Sequence, residues 1–405
     1  MDVKLVNRRG SLVLLLQLVL VGCGGGSGSE TERGGAPGVA PVAAVPRPVQ
    51  TEDGWLTASP AEVGINEQPL IEAVNRIRRG DFNEIHSLLI VRNGKLVLEE
   101  YGSGRMYDRE SVRPDYLGPV IDFHRDRKHI VHSVSKSYMS TLIGIAIHEG
   151  YIGNADASLL GFFPESAGVD EPRKADITLR HTMSMVSGLQ WNEWDVSAMD
   201  FQRSDAIQFQ MTPDPPGYFF GKALIHEPGT AFYYNTAGFQ MMGEVLRRST
   251  GMPVDQFAAQ YLFAPLGVTD FDWPQYEHEL VYLVGDLFLK PRDMARMGQL
   301  VLQRGEWQGR QVVPVAWLDE ATSGLVSVAH TGYKGFESYG MHWWSKVFRV
   351  AGRAVRCIHA DGLAGQAIMA CPSLDLVVVV TSGNYNRAEL EHALVADFVL
   401  PAVIG

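Results

Sequence analysis

Two β-rich stretches sit near opposite ends of the chain, and they constrain the fold more than any other feature. The first, "IHSLLIVRNGKLVLEEYG" (85–102), has apolar residues on both sides of Asn93-Gly94, the signature of a tight hairpin. The second, "AIMACPSLDLVVVVTSGN" (367–384), gives two more strands with Pro372 at the bend. Between them lies a long, mainly helical middle. Strands at both ends with helices inserted predict an α+β architecture: one antiparallel sheet assembled from both termini, with a helical lobe in between. The chain has 405 residues, 46% of them hydrophobic and 20% charged, enough for one large domain. No internal repeat is present. The net charge of −11 argues against a nucleic-acid partner, which selects for a basic face.

The N-terminus is of a different kind. Lys4, Arg8 and Arg9 precede the apolar run "SLVLLLQLVLVG", and Cys23 follows it. This is the order of a secretory signal. The run is shorter than the roughly 20 apolar residues of a spanning helix. The tetrad Leu20-Val21-Gly22-Cys23 resembles a bacterial lipoprotein cleavage box, which implies a signal peptide over 1–22 and a lipid on Cys23. That would tie the exported protein to the outer membrane, facing the periplasm. Residues 23–53 are rich in Gly, Ser and Pro and read as a flexible tether. The folded domain is expected over 54–405. Of the remaining cysteines, Cys357 and Cys371 flank a predicted hairpin. A disulfide and two buried thiols are both compatible with that placement, and an oxidising compartment permits the former.

The candidate chemistry begins at "HIVHSVSKSYMSTLIGIAIHEGYI" (129–152). Apolar residues at Tyr138/Met139, Leu142/Ile143 and Ala146/Ile147 predict a helix with one buried face, and Gly150 marks its expected end. Ser133 and Lys136, one turn apart at its start, point the same way. A serine hydroxyl needs a base to become a nucleophile, and a deprotonated lysine can be that base. Helix-start N–H groups can meet a developing oxyanion. A serine at such a place is otherwise an N-cap. About one hundred residues later "EPGTAFYYNTAGFQMMGEVL" carries Tyr233 and Asn235 before an apolar helix. A phenol can shuttle protons and an amide can hold a substrate carbonyl. A packing tyrosine and a turn asparagine are the plain alternative.

Taken together, Ser-x-x-Lys, Pro-Gly-Thr and Tyr-x-Asn in this order resemble the serine hydrolases related to class C β-lactamases. These include penicillin-binding-type enzymes, family VIII carboxylesterases and the 6-aminohexanoate-dimer hydrolase branch. "ITLRHTMSMVSGLQWNEWD" (177–195), "FAAQYLFAPLGVTDFDW" (257–273), the segment 289–322 and "SYGMHWW" (338–344) are similar to further family segments. The resemblance implies a β-lactamase/transpeptidase-like fold and an acyl-enzyme on Ser133. In it Lys136 and Tyr233 manage the proton and Asn235 orients the substrate. It also implies an oxyanion hole from the N–H groups of Ser133 and Leu363, with Gly362 in the family's third box.

At that box the chain reads His359-Ala360-Asp361-Gly362, without the usual lysine and threonine. A carboxylate there would repel an anionic substrate, so small esters or amides are expected rather than β-lactams. A D-amino-acid peptidase, or a non-catalytic member binding peptidoglycan or a protein, is the alternative. Trp191, Trp194 and Tyr218 are expected on the cleft wall. His359, His181, His129 and His132 are read as structural. No cofactor is implied, and without an HExxH spacing no zinc site is expected.

Overall fold

The computed structural model describes residues 41–108, 117–166, 171–193, 203–277, 281–385 and 387–405. A nine-stranded sheet forms its centre: β1 (Leu56–Thr57), β2 (Ile85–Arg92), β3 (Lys95–Tyr101), β4 (Val326–Ser327), β5 (Ser338–Tyr339), β6 (Trp344–Val350), β7 (Arg353–Gly362), β8 (Gln366–Cys371) and β9 (Leu376–Ser382). Their spatial order is β1-β3-β2-β9-β8-β7-β6-β5-β4. Every neighbouring pair is antiparallel except β1 with β3. The two β-rich ends thus meet at the β2–β9 ladder, where Leu88 faces Val380 and Ile90 faces Val378. Asn93 (φ 50°) and Gly94 (φ 70°) close the β2–β3 hairpin, both left-handed as a two-residue loop of this kind requires.

β2 and β9 are apolar on both faces because both faces are covered. Leu89, Val91, Val377 and Val379 join the core beneath the inserted helical lobe. Leu88, Ile90, Val378 and Val380 join a second core under α1 (Glu67–Arg78) and the C-terminal helical stretch 391–404. The period of two between the faces assigns each residue to its core.

Three long helices lie in the lobe: α2 (Val134–His148), α3 (Thr236–Thr250) and α4 (Pro291–Leu302). α2 is buried all round from Val134 to Ala146, its polar residues Ser135, Lys136, Ser137, Ser140 and Thr141 included. The single apolar face expected from its spacing is therefore an understatement: the helix is the hub between sheet and lobe. It ends at His148, and Gly150 follows with φ 79°. α4 lies so close to the sheet that a β-carbon on Gly298 would stand 2.4 Å from Val377 Cγ1.

Residues 42–53, expected in the tether, pack on the domain. Asn75 on α1 exchanges two hydrogen bonds with the Val42 backbone, and Val45 is buried. The buried Arg292 guanidinium reaches Val49 O (2.9 Å), Thr51 Oγ1 (2.8 Å), Asp53 Oδ2 (2.7 Å) and Glu99. Arginine's planar fork suits such a multidentate grip. The packed chain thus begins about twelve residues before the expected boundary. Cys357 and Cys371 stand opposite one another on β7 and β8 and are joined as a disulfide (Cα–Cα 4.2 Å). Cys23, the signal segment and Trp194 lie outside the described residues.

Candidate active site

α2 begins at a strained corner. His132 holds φ 47°, unusual for a residue with a β-carbon, and Val134, Ser135 and Lys136 then donate in turn to the carbonyls of Val131, His132 and Ser133. Ser133 occupies the N-cap position but its hydroxyl makes no capping bond. It accepts instead from Lys136 Nζ at 2.9 Å and from Tyr234 OH at 3.0 Å. The plain N-cap alternative thus does not describe this serine. Lys136 is 3% exposed, with Nζ 5.2 Å from the Tyr234 ring centre and 5.4 Å from that of Phe239.

The tyrosine at Ser133 is Tyr234, where Tyr233 was expected. Tyr233 OH pairs with His226 Nε2 at 3.0 Å, and the two rings stack. The reason is local: in the extended segment leading into α3, adjacent side chains point opposite ways, so only one of two neighbouring tyrosines can face α2. Trp344 stacks on Tyr234 with ring planes 11° apart and fixes its direction. Asn235 also departs from its expected role. Its side-chain oxygen accepts from Gly238 N at 3.1 Å and caps α3.

Trp191, expected on the cleft wall, is buried, and its indole N–H donates to Glu193 Oε2 at 2.9 Å. Tyr218 OH donates to Asp205 Oδ1 at 2.7 Å. Neither lines the cavity beside Ser133. Glu193 was missed. It is buried, takes the N–H and hydroxyl of Thr236 at 2.8 and 2.5 Å, and so holds the junction from which Tyr234 projects. Burial raises its carboxyl above the usual range, although the Lys136 charge opposes the shift. The signal lay in the acid set between tryptophans in Trp191-Asn192-Glu193-Trp194.

β7 delivers Gly362 to the helix tip. A β-carbon there would come 2.5 Å from Val131 O and 3.3 Å from Ser133 N, so glycine is needed for the approach. The β7–β8 turn follows, with Ala364 (φ 64°) and Gly365 (φ 86°) left-handed. Among the described residues no protein acceptor takes the N–H of Ser133 or of Leu363. Ser133 and Leu363 line one cavity with Lys136, Phe239, Tyr276 and Asp286.

Asp361 does not face that cavity. Its carboxylate accepts from Lys334 Nζ at 2.8 and 3.0 Å and from Tyr333 OH at 3.2 Å. Burial pushes it up to about 7 even with the Lys334 charge against it. Among the described residues one grouping, Asp361, Glu391 and His392, has the composition of a metal site, and the Lys334 ammonium supplies a cation there. His359 is buried between Phe336, Phe348 and His392 and makes no contact with Ser133. His181 completes a capping box with Thr178, and His129 pairs with His86 at 2.8 Å.

His342 supports the first turn of α2 from behind. Its Nδ1–H donates to Lys136 O at 3.0 Å, and its own carbonyl accepts from Ser137 Oγ at 2.6 Å. Nε2 is buried without a hydrogen-bond partner. Burial, with the nearby Lys136 charge, drives this imidazole down to about 3. The unfolded chain therefore takes up a proton near pH 6.5 that the folded chain refuses until about pH 3. The stability due to a neutral His342 is complete above pH 6.5 and is lost as the pH falls below it. Urea unfolding at pH 7.5 and pH 5 should show it. His342→Asn keeps a donor and suits the residue's φ of 62°. It is expected to lower the acid loss at pH 5 by about 2 kcal/mol relative to the parent. Parallel curves for the two proteins would show that His342 takes up its proton in the folded state.

A match to the family described as Beta-lactamase spans residues 86–399. The 6-aminohexanoate-dimer hydrolase of Paenarthrobacter ureafaciens is 26% identical over 311 residues, covering 73% of this chain and 72% of that protein. Among solved structures, a family VIII carboxylesterase superposes with a TM-score of 0.59 at 15% identity, covering 83% of this chain and 97% of the other. A penicillin-binding protein homologue from Caulobacter crescentus gives 0.56 at 15% identity, over 78% and 91%. These likenesses extend the expected α+β fold to solved relatives. The family match covers the β2–β9 ladder, the inserted lobe and the Ser133 corner, and the chain belongs to the beta-lactamase family.

Proposed function

We propose that the protein is a serine hydrolase that cleaves a small ester or amide through an acyl-enzyme on Ser133. One observation carries this reading: a single hydroxyl at a helix tip lies 2.9 Å from an amine and 3.0 Å from a phenol. One of these two groups, in its unprotonated form, takes the Ser133 proton as Oγ attacks the carbonyl carbon. The N–H groups of Ser133 and Leu363 receive the oxyanion. The proton passes to the leaving group as its bond breaks, and water then repeats the sequence on the acyl carbonyl. Ala360 and the turned-away Asp361 offer nothing to a substrate carboxylate, which favours uncharged acyl groups over β-lactams. Export with a lipid on Cys23 belongs to the same proposal, and the Cys357–Cys371 disulfide supports an oxidising compartment.

A fluorophosphonate probe tests the nucleophile. It should label the parent protein and leave Ser133→Ala unlabelled; an unlabelled parent would point to a binding protein instead. Turnover of p-nitrophenyl esters, D-alanyl anilides and nitrocefin then sorts esterase, peptidase and lactamase activity.

A further inference from the structure

The β7–β8 turn is held from outside the cavity by an ionic cluster of the half-buried Lys334 and Glu389 with the buried Asp361 and Glu391. Glu389 Oε1 accepts from Ala364 N at 2.7 Å. Ser382 Oγ donates to Ala364 O, and Gln366 Nε2 donates to Leu363 O at 3.0 Å. Together these occupy the polar backbone groups that follow the Leu363 N–H in the turn. Glu389 is in turn held by Lys334, whose ammonium also reaches both Asp361 oxygens and Glu391 Oε1 (3.2 Å). One lysine therefore binds the last strand residue before Gly362, the carboxylate that fixes the turn, and the first turn of the C-terminal helix.

Lys334 is built to reach that point. It sits at φ 45° in a short loop in which Gly332 (φ 66°) and Gly335 (φ 67°) are also left-handed. Lys346 Nζ holds its carbonyl from behind. Strained backbone of this kind persists only where its surroundings over-determine it. The charged and titratable groups facing the ammonium are Asp361, Glu389, Glu391, Tyr333, Lys346 and His392. Two buried carboxylates, Asp361 and Glu391, and the half-buried Glu389 converge on this cation, so removal of Lys334 leaves mutually repelling groups around the turn.

We propose that Lys334 is a positioning residue for the oxyanion hole: through Asp361 and Glu389 it sets the place of the Leu363 N–H relative to Ser133. This rests on the hydrolase reading above and adds that the ion cluster governs its transition-state step.

Full-length K334M and K334R are compared with the parent on p-nitrophenyl butyrate. A trifluoromethyl ketone, whose tetrahedral adduct on Ser133 places an oxyanion in the hole, is the second probe. K334M is expected to lower kcat by about 10- to 100-fold with KM little changed, and to weaken the ketone by a similar factor. K334R, which keeps the charge, should recover most of both. A K334M enzyme with parental kcat, or one that loses kcat while holding the ketone as before, overturns the proposal. If K334M does not fold, E389Q carries the test, because it retains an acceptor for Ala364 N but drops the charge that Lys334 grips. A smaller kcat loss with constant KM is then expected, and parental kcat refutes the idea. A parent that hydrolyses no ester and takes no fluorophosphonate defeats the hydrolase reading itself, an outcome distinct from all of these.

Discussion

Tyr234→Phe is expected to slow ester turnover by about 10²–10⁴-fold, the range for loss of a positioned proton-transfer group. Tyr233→Phe is expected to stay near the parental rate. The contrast comes from where each hydroxyl ends: Tyr234 on Ser133 Oγ at 3.0 Å, Tyr233 on His226. Both substitutions remove one oxygen and keep the ring, so packing against Trp344 or His226 survives in each. Steady-state kinetics on one chromogenic ester decides the matter. Reversal of the pattern, with Tyr233→Phe the inactive enzyme, would mean that the working site exchanges the two rings. Equal, small effects would leave Lys136 as the sole proton carrier.

Gly362→Ala is the second large effect. Its new methyl would stand 2.5 Å from Val131 O, which is backbone and cannot swing aside, so β7 must retreat from the tip of α2. The Leu363 N–H retreats with it. Loss of one oxyanion donor costs about 10²–10³ in kcat. Overpacking at a tight contact of this kind also costs about 1–3 kcal/mol of stability. The expected result is a folded protein with a lower urea midpoint, a KM near the parent's and a kcat down by at least two orders of magnitude. A kcat close to the parent's would remove the Leu363 amide from the oxyanion hole.

Much of this was legible in the residues alone. Hairpin chemistry at Asn93-Gly94 and the valine run of β9 announce strands at both ends, and the spacing of Ser133 and Lys136 fixes their common direction. What escaped depended on tertiary choice. Two adjacent tyrosines cannot be told apart by spacing, since the segment's twist and the Trp344 ring decide which one turns inward. Asn235 serves a helix start, a use its sequence context equally allowed. Asp361 looked hostile to substrates because its partner, Lys334, is 27 residues away along the chain. Glu193 escaped because its one signal, an acid set between two tryptophans, has no periodicity to say which way it faces. Trp191 and Tyr218 were assigned to the cleft from their loop, but each carries a polar tip that found a buried carboxylate instead.

The β2–β9 ladder has a consequence for how the molecule comes into being. Residues separated by almost the whole length of the domain must find one another before the central strand has a neighbour on that side. Until 376–382 have left the ribosome, β2 presents an open, apolar edge of the kind that recruits other chains. Such long-range pairing makes for slow maturation, with the newborn polypeptide dependent on whatever shields that edge in the meantime. A stop codon a few dozen residues early would spare Ser133, Lys136 and Tyr234 and is still expected to yield an aggregate.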